Sequence, residues 1–170
     1  MHTLYYRLLT KEGKNAPCLF MDDAKTTRRG TESITAKGSV NGMRVGVVED
    51  DALICGMLSE TLERFGHVPT IYREGWAFLE ELTGNYTTTK PDPFDIVLLD
   101  VLLPGSISGV EIINYLCITR PELPLIVMSA INSTDLANIQ DQFPEVKILQ
   151  KPFRLQALRD SIEEHSAIGA

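Results

Sequence analysis

A chain of 170 residues with 44% hydrophobic and 23% charged residues has the length of one ordinary domain and the apolar content of a folded core, which argues against two full domains and against global disorder. The formal charge of −7 argues against a nucleic-acid surface, which needs clustered Lys and Arg. No apolar run approaches the roughly 20 residues that cross a bilayer and no secretory-type stretch opens the chain, so the expected setting is a reducing cytoplasm without membrane insertion.

Residues 1–42 mix Lys11, Glu12, Lys14, Arg28 and Arg29 with only short apolar patches, and they read as a flexible N-terminal extension. Met43 opens the strongest pattern in the chain and is a candidate translation start. From there to residue 166 short β-branched runs alternate with helix-period segments, as in a parallel sheet covered by helices on both faces. The first strand is expected at 44–49 and its helix at 52–65, with Ile54, Leu58 and Leu62 on one face and Gly66 as the stop. A weaker strand at 68–72 precedes a helix at 75–82, in which Trp76 reads as core. Residues 84–93 carry two prolines and no apolar periodicity, and they are expected to form a mobile loop. The third strand, 95–100, is apolar between two acidic ends, as a strand buried on both faces should be. Its helix is expected at 109–119. Strands at 124–129 and 146–150 follow, with helices at 133–143 and 154–165, and 167–170 form a C-terminal tail. Right-handed crossovers make this a doubly wound α/β fold with a central five-stranded parallel sheet. Cys18, Cys55 and Cys117 lack a C-x-x-C spacing and read as buried thiols, and His2, His67 and His165 lack the spacing of metal ligands.

Ligands in such sheets bind at the carboxyl ends of the strands, near the point where strand order reverses. Here the first strand ends in Glu49, Asp50 and Asp51, the third in Asp100, the fourth in Ser129 and the fifth in Lys151-Pro152. Carboxylates about 5 Å apart repel by roughly 3 kcal/mol per pair at an effective dielectric near 20, so a cation must offset them. A lysine and a metal ion would do so. Hard oxygen donors without histidine or thiolate suit Mg2+ rather than zinc. For Asp51 a helix N-cap is as good a reading as a site role.

In that order the residues resemble the receiver domain of response regulators in two-component signal transduction, over 43–166. The resemblance rests on Glu49-Asp50 after the first strand, Asp100 in Leu98-Leu99-Asp100-Val101-Leu102-Leu103-Pro104-Gly105, Ser129 in Met128-Ser129-Ala130, and Lys151 in Lys151-Pro152-Phe153. It implies a flavodoxin-like (βα)5 three-layer sandwich and a signalling switch rather than an enzyme. Asp100 would be the phospho-acceptor, with Mg2+ held by Asp50, Asp100, the Leu102 carbonyl and, through water, Glu49. Lys151 would pair with the carboxylate and then the phosphate, Ser129 would turn toward the phosphate, and the Lys151-Pro152 bond would be cis. The implied partners are a histidine kinase or histidine phosphotransfer protein and an unidentified downstream protein. With nothing after residue 166 that could form an effector domain, a stand-alone receiver without direct DNA contact is expected.

Three rival readings share parts of this pattern. A pseudo-receiver would keep the fold as a protein-binding module without being phosphorylated, but the retained Asp50, Asp100, Ser129 and Lys151 argue against it. A flavin carrier would place its phosphate loop where Glu49, Asp50 and Asp51 repel the ligand. A hydrolase with an aspartyl-phosphate intermediate would commonly carry a second acid where Leu102 stands. Three departures bear on function. Ile148 replaces the aromatic switch residue of many relatives, the loop at 104–109 is about one residue longer, and Leu102 and Ile131 are apolar where relatives often position the hydrolytic water. The last predicts slow loss of the phosphoryl group.

Overall fold

A computed structural model describes residues 42–84 and 92–166. The expectations for the N-terminal extension, the mobile loop and the C-terminal tail, and those for Cys18 and His2, fall largely or wholly on 1–41, 85–91 and 167–170, outside the described residues. Among the described residues five strands and five helices alternate: β1 Arg44–Val48, α1 Ala52–Arg64, β2 Val68–Tyr72, α2 Gly75–Gly84, β3 Ile96–Asp100, α3 Gly109–Thr119, β4 Leu125–Ser129, α4 Ser133–Gln142, β5 Lys147–Gln150 and α5 Leu155–Ser166. All strand pairs are parallel, in the order β2-β1-β3-β4-β5.

The burial pattern explains why these runs become strands of this sheet. β3 and β4 are buried at every position, and their side chains alternate between two cores. Val97, Leu99, Leu125 and Val127 pack with Phe78 and Leu82 of α2 and Ile112 and Leu116 of α3. Ile96, Leu98, Ile126 and Met128 pack on the other face with Leu58 and Leu62 of α1 and Leu158 and Ile162 of α5. The sequence shows no polar alternation there because both faces of the sheet are covered. Ile54 and Trp76 lie at the margins of these cores, partly buried, as do Cys117 and Ile148, while Cys55 is buried.

Local signals set the helix starts on the carboxyl side of the sheet. Asp51 caps α1, its carboxylate accepting the Leu53 and Ile54 amides at 2.8 and 3.1 Å. Ser108 and Glu111 form a reciprocal capping box at α3, and Asn132 accepts the Asp135 amide at the start of α4. The sheet order places the topological switch point between β1 and β3, the two strands whose ends carry the acidic residues. Among the described residues no helix is long and apolar enough to cross a membrane.

Candidate metal and phosphoryl-transfer site

Register brings the strand ends together. Val48 pairs with Leu99 across β1 and β3, so Glu49 and Asp50 leave β1 beside Asp100, the last residue of β3. Carboxylate oxygens of Glu49, Asp50 and Asp100 lie within 4.8 Å of one another. Asp100 pairs with Met128 and Ser129 with Gln150, so β4 and β5 deliver Ser129 and Lys151 to the same edge. The Lys151 amide donates to the Ser129 carbonyl at 2.7 Å, and the Lys151-Pro152 bond is cis.

Lys151 Nζ donates to Glu49 Oε2 and to Asp100 Oδ2, both at 2.6 Å. Glu49 is 1% exposed and Asp100 6%, so these are charged groups largely removed from water. The second Asp100 oxygen accepts the Leu102 amide at 2.9 Å, and the second Glu49 oxygen accepts the Asp51 amide at 3.3 Å. The Asp50 carboxylate, half-buried, has no hydrogen bond or ion pair among the described residues. Burial pushes the Glu49 carboxyl above its ordinary value, Lys151 pulls it back, and the charge of Asp100 adds to the rise. Burial works against the Lys151 ammonium too, but the hydrogen bonds to Asp100 and Glu49 outweigh it and hold Lys151 above the ordinary lysine value.

Three carboxylates against one ammonium leave the cluster two negative charges in excess when all are ionised, the charge that one divalent cation offsets. The donor set is all oxygen, and one carboxylate is unengaged. Those features fit a hard cation such as Mg2+ and do not fit zinc.

Ser129 is fully buried at the end of β4, and its hydroxyl accepts the Ile131 amide at 3.1 Å instead of facing Asp100 with a hydrogen bond. Leu102 is 55% exposed beside Asp100 and Ile131 is half-buried. Asp51 resolves to the N-cap of its two readings. Three contacts were not read from the sequence. Lys151 bridges to Glu49 as well as to Asp100, the Cys55 thiol donates to the Glu49 carbonyl at 3.0 Å, and Arg73 donates to the Asp50 carbonyl. The strand-end rule contained a signal for Arg73, which directly follows β2, the neighbour of β1.

A family model for the response regulator receiver domain matches residues 45–163. The transcriptional regulatory protein TcrA of Mycobacterium tuberculosis is 31% identical over 140 residues, which span 81% of this chain and 51% of TcrA. The response regulator receiver protein CpdR of Brucella abortus is 26% identical over 121 residues, spanning 71% of this chain and 94% of CpdR. This chain thus spans about half the length of TcrA but nearly the whole of CpdR. Among solved structures, a CheY-like receiver domain protein from Methanospirillum hungatei superposes with a TM-score of 0.63 at 20% identity, over 76% of this chain and all of that one, a likeness of fold.

Proposed function

This chain belongs to the response regulator receiver domain family of two-component systems, and from that premise we propose that it accepts a phosphoryl group on Asp100 from a histidine kinase or histidine phosphotransfer protein, in a Mg2+-dependent reaction, and signals through a change of surface. The observation that carries the reading is the convergence of Glu49, Asp50 and Asp100 on one edge under a single ammonium.

The Asp100 carboxylate is the nucleophile. It attacks the phosphorus of a phosphohistidine in line, the P–N bond breaks, and the imidazole departs as an acyl phosphate forms. Lys151 and the Leu102 amide hold the two carboxylate oxygens before transfer, which orients the carboxylate for attack. As the phosphoryl group arrives, Lys151 passes from the carboxylate to a phosphoryl oxygen. Asp50, Asp100, the Leu102 carbonyl and, through water, Glu49 would hold Mg2+, which when bound offsets negative charge on the phosphoryl oxygens.

After transfer the Ser129 hydroxyl gives up the Ile131 amide and turns to the phosphate. Ile148, half-buried against the core, has no aromatic ring to swing, so the signal passes through Ser129 and the face made by α4, β5 and α5. Leu102 and Ile131 offer no side-chain hydrogen bond to an attacking water, which supports slow decay. CpdR, nearly all of which this chain matches, is a precedent for a receiver of about this length.

Transfer from a phosphorylated histidine phosphotransfer domain tests this. Loss of label from the donor with gain on this chain, abolished in Asp100→Ala, is expected. Donors that keep their label would favour the protein-binding module that shares the fold without being phosphorylated.

A further inference from the structure

The turn between β2 and α2 touches the β1–α1 loop, which carries Glu49 and Asp50, and the β3–α3 loop, which follows Asp100. Tyr72, the last residue of β2, accepts the Glu49 amide at 3.0 Å. The next residue, Arg73, reaches to the β1–α1 loop and donates to the Asp50 carbonyl from Nη2 at 2.8 Å and from Nε at 3.2 Å. Two residues later Gly75 lies so close to the β3–α3 loop that an added Cβ would stand 3.2 Å from the Ile107 carbonyl. The backbones of Glu49 and Asp50 are therefore held from the end of the neighbouring strand, while the Asp50 side chain is left unengaged among the described residues.

A planar guanidinium that gives two N–H groups to one carbonyl oxygen fixes the direction of that carbonyl, and with it the 50–51 peptide plane. Together with the Glu49 amide bond to Tyr72, this anchors the backbone on which the Asp50 side chain is mounted, and a shift of that backbone would carry the carboxylate away from Glu49 and Asp100. Resting on the metal-dependent reading of the site, we propose that Arg73 is a positioning residue for the divalent cation. It fixes Asp50 through the backbone, and so sets the affinity of the acidic cluster and its preference for Mg2+.

Arg73 acts on the cation in two ways of opposite sign. Its charge repels a divalent ion, and its hold on Asp50 keeps a ligand in place. Loss of Arg73 tightens metal binding when charge dominates and weakens it when positioning dominates. Mg2+ requires near-ideal octahedral geometry whereas Ca2+ accepts irregular sites, so a displaced Asp50 penalises Mg2+ more. Salt weakens the charge effect and leaves the positioning effect.

The test is calorimetric titration of the full chain with Mg2+ and with Ca2+, without phosphodonor, at low and high salt. Wild type is compared with Arg73→Met, with Arg73→Lys, and with Arg64→Met, which makes the same charge change at the far end of α1. Expected is a loss of Mg2+ affinity of about tenfold in Arg73→Met at both salt concentrations, in line with removal of an outer support of a metal ligand. A smaller loss for Ca2+, incomplete recovery in Arg73→Lys and no change in Arg64→Met are also expected, with the unfolding midpoint of the metal-free protein unchanged. Equal or tighter Mg2+ binding in Arg73→Met, or full recovery in Arg73→Lys, overturns the proposal. Should Arg73→Met fail to fold, Arg73→Lys decides by the same measurement, equal affinity overturning the proposal and weaker affinity supporting it. Wild type that binds no Mg2+ overturns the reading of the site itself, a result distinct from the first because all four proteins would then behave alike.

Discussion

The two edges of the sheet treat charged groups in opposite ways. At the amino edge two ion pairs lie near the surface. Arg44 holds both oxygens of Asp95, at 2.6 and 3.1 Å, and Arg120 meets Asp92 at 2.7 Å. His67, buried there, uses Nδ1 to accept the Met43 amide at 3.3 Å. At the carboxyl edge two buried carboxylates, Glu49 and Asp100, share one ammonium, and the third, the half-buried Asp50, has no hydrogen-bonding or ion-pair partner among the described residues. Paired surface charge serves as scaffold, whereas buried charge in excess of its counterions has the character of a site awaiting a cation.

The largest effect that should separate the two edges comes from Lys151→Met. Without the ammonium, Glu49 and Asp100 are buried uncompensated, and urea unfolding without metal near neutral pH should show a loss of about 3–5 kcal/mol. The Glu49 carboxyl is already raised by burial, opposed by Lys151, and without that lysine it rises further. An acid raised in the folded state contributes stability that is full below its unfolded value and lost as pH rises through the folded value. The variant should therefore regain stability on acidification, and also on addition of Mg2+. A loss no larger than that of a surface pair would show the cluster to be solvated.

Two glycines extend the contrast. A Cβ at Gly109 would stand 2.5 Å from the Asp100 carbonyl oxygen and 2.6 Å from Val101 Cα, backbone that cannot yield. Gly109→Ala should cost about 1–3 kcal/mol in thermal or urea unfolding and impair the site. At Gly56, on the exposed side of α1, nothing lies within 4 Å, and Gly56→Ala should stabilise by about 0.5–1 kcal/mol. Equal effects would remove the claim that the backbone beside Asp100 is close-packed.

At the amino edge, Arg44→Ala should cost under about 1 kcal/mol, less at high salt, because the pair is exposed. The smallest effect belongs to His67. Burial holds its imidazole below the ordinary histidine value, with Arg159 acting in the same direction and Glu163 against it. A histidine depressed in the folded state contributes stability that is present above its unfolded value and lost as pH falls through the folded value. Unfolding midpoints should fall by a few degrees between about pH 7 and about pH 5, and His67→Phe should flatten that slope. An unchanged slope would mean that another group titrates there.

Strands β3 and β4 were legible because both faces are buried, which leaves an apolar run that nothing else in a chain of this composition explains. Helix α2 continues to Gly84, two residues beyond Leu82, where the apolar periodicity stops, because the closing residues Thr83 and Gly84 carry no periodic signal. The acids, Ser129 and Lys151 were legible as strand ends, where side-chain type and position coincide. The end of β2 pointed to Arg73 as a residue near the site, but its bond to the Asp50 carbonyl, like that of Cys55 to the Glu49 carbonyl, was not legible, because a side chain bonding to backbone leaves no spacing to read.

The central claim, that the under-neutralised edge takes up a phosphoryl group on Asp100, is tested most directly by intact-mass measurement after incubation with acetyl phosphate. Wild type and Asp100→Ala are compared in Mg2+ and in chelator, and decay is followed after the donor is removed. A gain of one phosphoryl group is expected in wild type with Mg2+ alone, none in Asp100→Ala, and decay far slower than seconds. No gain in wild type with Mg2+, or an equal gain in Asp100→Ala, would contradict the claim.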